Sequence, residues 1–172
     1  MRLLVAHASR MGSTTEIAER IGEQLRRAGH EVDVRACAEF QDSSSYDAVI
    51  IGSALYIGHW LKEARHYLEG QSESLSRRPT WLFQSGPCGQ GADVSSVRVP
   101  RGIRRLSGRI GASVTTFGGR LDRDWATSHL SRWMATGSLA GDFRDWDLVR
   151  DWTEGIIGRL AEGHRSAPLA SS

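Results

Sequence analysis

Apolar and polar positions along this chain follow two alternating periods. Leu3-Leu4-Val5-Ala6-His7 is a near-unbroken apolar run, which suits a strand buried on both faces of a parallel sheet. From Thr15 the apolar positions recur at helical spacing as Ile17, Ile21, Leu25 and Ala28, with Glu16 and Glu19 in the first turns where acidic side chains complement the helix dipole. Gly29-His30 closes that helix. Glu31-Val32-Asp33-Val34-Arg35 then alternates, as a half-exposed strand ending near Ala36 does. Tyr46 to Gly52 reads as a second buried strand, Thr80 to Gln84 behind Pro79 as another, and Ala112 to Phe117 as the last. Helical spacing places Trp60, Leu61, Ala64, Tyr67 and Leu68 on one face, and Ile103, Leu106 and Ile110 on a helix starting near Pro100. A closing helix carries Trp152, Ile156, Ile157 and Leu160. Five strands alternating with helices predict an α/β fold: a doubly wound five-stranded parallel sheet with helices on both faces. In the order 2-1-3-4-5 the winding reverses between strands one and three, and ligands bind outside the carboxyl ends at such a switch point.

The loops at that end are chemically unlike ordinary connections. After strand one, Ala8-Ser9-Arg10-Met11-Gly12-Ser13-Thr14-Thr15 offers hydroxyls, a glycine that lets backbone approach a ligand, and the bare N–H groups of a helix start. Such a turn suits a phosphate, and capping by the same hydroxyls is the alternative that the spacing leaves open. It lacks the Gly-Lys-Ser/Thr of a triphosphate loop and the three glycines of a dinucleotide fingerprint. After strand three, Ser53-Ala54-Leu55-Tyr56-Ile57-Gly58-His59 is apolar and aromatic, a composition suited to covering something flat. After strand four, Ser85-Gly86-Pro87-Cys88-Gly89-Gln90-Gly91 is rich in glycine.

A length of 172 residues fits one domain, expected over 1–163, with a flexible tail over 164–172. The net charge is +2, and Lys62 is the only lysine among 22 basic residues. Arg98, Arg101, Arg104, Arg105 and Arg109 lie opposite the apolar face of their helix, so they read as a solvated face. Nucleic acid is not expected as a partner, and a patch for some other anionic partner is the alternative. Cys37 and Cys88 make no disulfide framework and lack metal-ligand spacing, so no metal is expected. No charged leader opens the chain, and no apolar run approaches the roughly 20 residues of a membrane span. A cytoplasmic, reduced setting is expected. Trp125, Leu130, Trp133, Met134 and Leu139 lie in a connection longer than a simple crossover needs. Besides core packing, a gate for a hydrophobic substrate, a homodimer contact and a peripheral membrane contact stay open for them.

The residues from Ser9 to Ala18, from Val49 to His59, and Phe117-Gly118-Gly119-Arg120-Leu121-Asp122, with Asp145-Trp146, resemble flavodoxin-like proteins. Within that group the chain is most similar to the menaquinone-dependent, oxygen-independent protoporphyrinogen IX dehydrogenases, over about residues 1–160. The resemblance implies FMN as cofactor. It carries over Ser9, Arg10, Met11, Gly12, Ser13 and Thr14 as phosphate contacts. Met11 stands where family members carry a hydroxyl, so backbone N–H groups would contribute more here. The isoalloxazine would lie with Ala54, Leu55, Tyr56, Ile57 and Gly58 on one side and Ser85, Gly86, Pro87, Cys88 and Gly89 near the other.

The implied activity is oxidation of protoporphyrinogen IX, or a similar hydrophobic small-molecule donor, with a quinone as acceptor. His59 is the candidate catalytic proton relay, and its alternative is a helix-start residue with no chemical role. His7 and Cys88 read as a core histidine and a loop spacer. An FMN electron-transfer flavodoxin and an NAD(P)H:quinone reductase are the competing functions. Carriers of the first kind are typically acidic, and this chain is slightly basic. A phosphoacceptor domain would need an aspartate where Gly52-Ser53 stands.

Overall fold

The computed structural model describes residues 1–39, 42–86, 93–121 and 141–165. Its elements are β1 (Arg2–Ala8), α1 (Ser13–Arg27), β2 (Glu31–Ala36), β3 (Ala48–Tyr56), β4 (His59–Trp60), α2 (Lys62–Gly70) and the short α3 (Ser72–Leu75). They continue with β5 (Thr80–Ser85), α4 (Arg101–Ile110), β6 (Val114–Phe117), β7 (Arg120–Leu121), β8 (Gly141–Asp142) and α5 (Trp146–Arg165).

The main sheet runs β2-β1-β3-β5-β6 with every neighbouring pair parallel, which is the expected 2-1-3-4-5 order. The two-residue β4 folds back antiparallel on β3. The register sets Val5 beside both Val34 and Ile50, and Ile51 beside Leu82. Successive side chains point to opposite faces. Leu4, Ala6, Val49, Ile51 and Leu82 therefore pack with Ala64, Leu68, Leu75, Ile103 and Leu106 of α2, α3 and α4. Leu3, Val5, Ile50, Phe83 and Phe117 pack with Ile17, Ile21 and Leu25 of α1 and Ile156 and Leu160 of α5. Burial on both faces is why strands one and three read as continuous apolar runs. Phe117 meets Trp152 edge-on at 5.4 Å, which adds about 0.5–1.5 kcal/mol beyond buried area.

Two boundaries differ from the sequence expectation. Strand three does not end at Gly52, because Ser53 and Ala54 still pair with Gln84 and Ser85 of β5. Leu55 and Tyr56 continue it by pairing with Trp60 and His59. Trp60 is thus a strand residue rather than the start of a helix face; its indole N–H donates to Gln84 Oε1 at 3.0 Å. Leu61 is extended, with ψ 145°, and α2 begins after it. Asp145 caps α5, its Oδ1 accepting from the Leu148 N–H at 2.9 Å.

The β3–β4 connection is two residues, Ile57 at φ +50° and Gly58 at φ +73°. Positive φ at both central positions is the type I′ hairpin turn, whose twist matches the strands it joins. Glycine adopts it freely, whereas a β-branched isoleucine is strained there by about 1–2 kcal/mol. Ile57 is 62% exposed, so little burial offsets that strain. Ile57→Asn makes the favoured Asn-Gly pair and is expected to add about 1 kcal/mol of stability, raising Tm by about 2–4 °C. Thermal unfolding followed by circular dichroism checks this, and a lowered Tm contradicts the strain.

Candidate functional site

The crevice at the switch point opens with the turn after β1. Gly12, at φ 78° and ψ −23°, stands at the N-cap of α1, and no side chain caps the helix. The first-turn N–H groups therefore point out of the helix without intrahelical partners and carry its positive dipole end. The hydroxyls of the turn tie it to three strands instead. Ser13 Oγ accepts from the Arg120 N–H at 3.0 Å, Thr14 Oγ1 and Ser85 Oγ share a buried hydrogen bond of 2.7 Å, and Thr15 Oγ1 lies 3.4 Å from His7 Nδ1. As an acceptor, Ser13 keeps its own proton for a ligand. Ser9 Oγ is buried and has no hydrogen-bond partner.

The β3–β4 hairpin forms the adjoining wall. The Arg10 guanidinium lies over the Tyr56 ring, 4.5 Å from its centroid, so the phosphate-type turn and the aromatic hairpin touch. Beneath them Ser53 Oγ accepts from the Leu61 N–H at 3.0 Å and donates to the Ala54 carbonyl. Gln84, wholly buried, accepts from Trp60 and donates to Thr116 Oγ1 at 3.1 Å. These buried polar bonds are satisfied at each of the partners just named, which fixes the hairpin's root. On the β5 side Gly86 adopts φ +130°, donates to the Phe117 carbonyl at 2.9 Å and faces Leu55.

An ion-pair network braces the turn from behind. Glu16, in the first turn of α1, takes Arg120 Nη2 at 2.9 Å on one carboxylate oxygen and Arg144 Nη1 at 2.7 Å on the other. The Arg144 side chain is 3% exposed, grips Asp142 through Nε at 2.7 Å, and stacks 4.5 Å from the Trp146 ring centroid. Hydrogen bonding to Arg144 is the largest cause holding the Asp142 carboxyl below its ordinary range. Arg120 and Asp142 also pair across the β7–β8 ribbon.

Burial pushes the His7 imidazole below its ordinary value of 6.5, with nearby Glu39 acting the other way. The unfolded chain then binds the proton first as pH falls below about 6.5, so stability is complete above that pH and declines beneath it. His7→Asn is expected to flatten this limb of a Tm–pH profile; an unchanged slope assigns it to other groups. Cys37 is buried and its thiol is pushed up to about 12, which keeps it protonated and inert.

The structure brings Ser9 to Thr14, Ala54 to Gly58 and Ser85-Gly86 together at one end of the sheet. His59 sits there as well, on the exposed side of the hairpin opposite Tyr56. Pro87, Cys88 and Gly89, and the Trp125 to Leu139 segment, lie outside the described residues. Glu16 and Arg144 were not singled out by pattern: an acid in a first helical turn is ordinary, and its partner is 128 positions away. Among the described residues no cluster of His, Cys, Asp or Glu could hold a metal, and no helix is long and apolar enough to cross a membrane.

The chain matches the Flavodoxin domain over residues 4–126. It is 26% identical over 85 residues to protoporphyrinogen IX dehydrogenase [quinone] of Escherichia coli K12, covering 48% of this chain and 47% of that protein. The chain thus spans about half the length of the curated relatives it matches. Oxidised flavodoxin 2 from Bacillus cereus superposes with TM-score 0.62 at 17% identity, over 92% of this chain and 99% of that one. The rubredoxin oxygen:oxidoreductase of Desulfovibrio gigas superposes with TM-score 0.64 at 16% identity, over 96% of this chain and 37% of that chain. FMN is the cofactor of such domains, and the residues present fit its phosphate. The uncapped helix start, the orphaned Ser9 hydroxyl and the free Ser13 proton are donors, and no acidic residue lies between Ser9 and Thr15. With more than half its length matched and the parallel sheet in the expected order, this chain belongs to the flavodoxin domain family, whose cofactor is FMN.

Proposed function

We propose that the chain oxidises protoporphyrinogen IX, or a similarly apolar donor, and passes the electrons to a quinone. The observation that carries the reading is the contact between the two loops: a donor-rich helix start meets an aromatic hairpin whose strained, apolar tip is exposed. The local similarity to the Escherichia coli dehydrogenase supports the choice of donor and acceptor. In this reading Ser9, Arg10, Met11, Gly12, Ser13 and Thr14 hold the phosphate, largely through backbone N–H groups. Ala54, Leu55, Tyr56, Ile57 and Gly58 cover one side of the ring system, and Ser85 with Gly86 borders the other, continued by Pro87, Cys88 and Gly89. FMN supplies the two-electron exchange, and backbone groups of the flanking loops tune it. His59, solvent-facing beside the turn, takes up the donor's proton at an imidazole nitrogen and releases it to water.

The purified chain is expected to show a bound-flavin absorption spectrum, or to acquire one with added FMN. Mixed anaerobically with protoporphyrinogen IX it should bleach, and a menaquinone analogue should restore the colour. A bound flavin that protoporphyrinogen leaves coloured removes the donor assignment and favours the electron-carrier reading, for which the near-full-length superposition on a Bacillus cereus flavodoxin speaks. Bleaching by NAD(P)H alone favours a nicotinamide-dependent quinone reductase.

A further inference from the structure

On the β2 side of the β3–β4 hairpin lies a cleft of about 620 Å³ that borders the flavin site, with Ser9, Arg10, Tyr56 and His59 on the boundary between them. None of the described residues of β5 or β6 lines it, so it lies on the far side of the hairpin from Ser85 and Gly86. Its walls are apolar: Ala8 at the end of β1, Ala36 and Ala38 at the end of β2, and Trp60 with Leu61 before α2. Its volume falls in the range that takes organic ligands rather than single ions.

Half of the polar side chains around those walls are cationic or imidazole, the rest being the hydroxyls of Ser9, Thr15 and Tyr56 and the Glu63 carboxylate. Arg10 reaches the cleft across the Tyr56 ring and makes no ion pair among the described residues. Lys62 makes none either. It is the only lysine of the chain, exposed at the first position of α2, where a positive charge opposes the helix dipole. Helix stability does not explain a cation there; an anion in the cleft does. His7 has its Nδ1 beside Thr15, which leaves Nε2 for a ligand, and His59 adds a second imidazole. Glu63 is the one carboxylate among the lining residues, next in sequence to Lys62, and Glu39 acts electrostatically on His7 from outside the cleft.

Two cations without carboxylate partners, at the rim of an apolar slot, select a ligand with a flat apolar body and an anionic edge. We infer that this cleft binds the carboxylate-bearing edge of such a molecule through Lys62, beside the flavin site, with which it shares Ser9, Arg10, Tyr56 and His59. Identifying that molecule as the tetrapyrrole donor rests on the function proposed above.

Equilibrium dialysis tests the cleft without turnover. Protoporphyrin IX, which the flavin cannot oxidise further, is compared with its dimethyl ester in one detergent buffer, on FMN-loaded wild type and on Lys62→Glu. The acidic substitution complements the dipole of α2, so the variant folds. Expected are binding of the diacid, at least tenfold weaker binding of the diester and at least tenfold weaker binding of the diacid to Lys62→Glu, with FMN affinity unchanged. Binding that ignores both esterification and Lys62→Glu overturns the cleft while leaving the donor reading intact. One-for-one displacement of porphyrin by FMN overturns it too, because the two sites would then be one. If porphyrin fails to bind but 8-anilinonaphthalene-1-sulfonate binds in a Lys62-dependent way, the cleft stands as an organic-anion site and the donor reading falls. Failure of both probes overturns the cleft.

Discussion

Ser13→Asp is expected to weaken FMN binding at least 100-fold, a loss of about 2.7 kcal/mol, while the flavin-free protein keeps its Tm. Ser13 opens α1, so a carboxylate there complements the helix dipole, and it can still accept the Arg120 N–H that Ser13 Oγ accepts now. The same carboxylate occupies the donors a phosphate would use. At about 4 Å and an effective dielectric near 20, each pair of like unit charges costs about 4 kcal/mol, and the phosphate carries nearly two. Ser13→Ala removes a single hydrogen-bond donor and should cost only about 0.5–1.5 kcal/mol. Quenching of flavin fluorescence during titration measures both variants. Equal affinities for wild type and Ser13→Asp would remove the first turn of α1 as the phosphate site.

The second large effect concerns the brace behind that turn. Glu16→Ala strips the carboxylate shared by Arg120 and Arg144, leaving a guanidinium that is 3% exposed with Asp142 as its remaining acidic partner. Asp142 stays on the guanidinium and Glu16 is half-exposed, so the loss is that of hydrogen bonds between charged groups, about 1.5–3 kcal/mol, and a Tm fall of about 3–12 °C is expected for a chain of this size. The loss reaches the ligand as well. Arg120 offers its N–H to Ser13, so FMN affinity should fall about tenfold, roughly 1.4 kcal/mol. Adding Arg144→Met removes the stranded charge and is expected to restore part of the stability, a coupling that a double-mutant cycle isolates. If the two substitutions simply add, Glu16 and Arg144 act independently and the network does not work as a unit.

Acid titration reports on the same brace. The Asp142 carboxyl is held below its ordinary range, chiefly by hydrogen bonding to Arg144, so its contribution is present above the unfolded value of 3.8 and is lost as pH falls through the lowered one. Asp142→Asn should therefore flatten the most acidic part of the stability profile, below the range in which His7 acts.

The parallel strands and the two helical layers were legible in the chain's hydrophobic periods, whereas the 2-1-3-4-5 order and its crevice are what the flavodoxin-like resemblance implied. A period of two or an unbroken apolar run records which faces of a strand leave water, and a 3.6 period records the face of a helix that does; both are local consequences of burial. Ser9 to Thr15 was legible for a related reason: Gly12 and the hydroxyls cluster within one turn, so their meeting needs no long-range contact. Pairing settled other things. Ser53 to Tyr56 looked like a loop because Gly52 and Gly58 bound it, yet β5 and β4 supply ladder partners that hold it as strand and throw Ile57 into a positive-φ turn. The Ser13 and Thr14 hydroxyls looked free, yet Arg120 and Ser85 meet them from more than 70 positions away. Glu16 finds Arg144, and Arg10 finds Tyr56, only once the crossovers have laid their strands side by side. Burial preference is written residue by residue along a chain, whereas the partner of a charge or hydroxyl depends on which distant segment the folded sheet sets beside it.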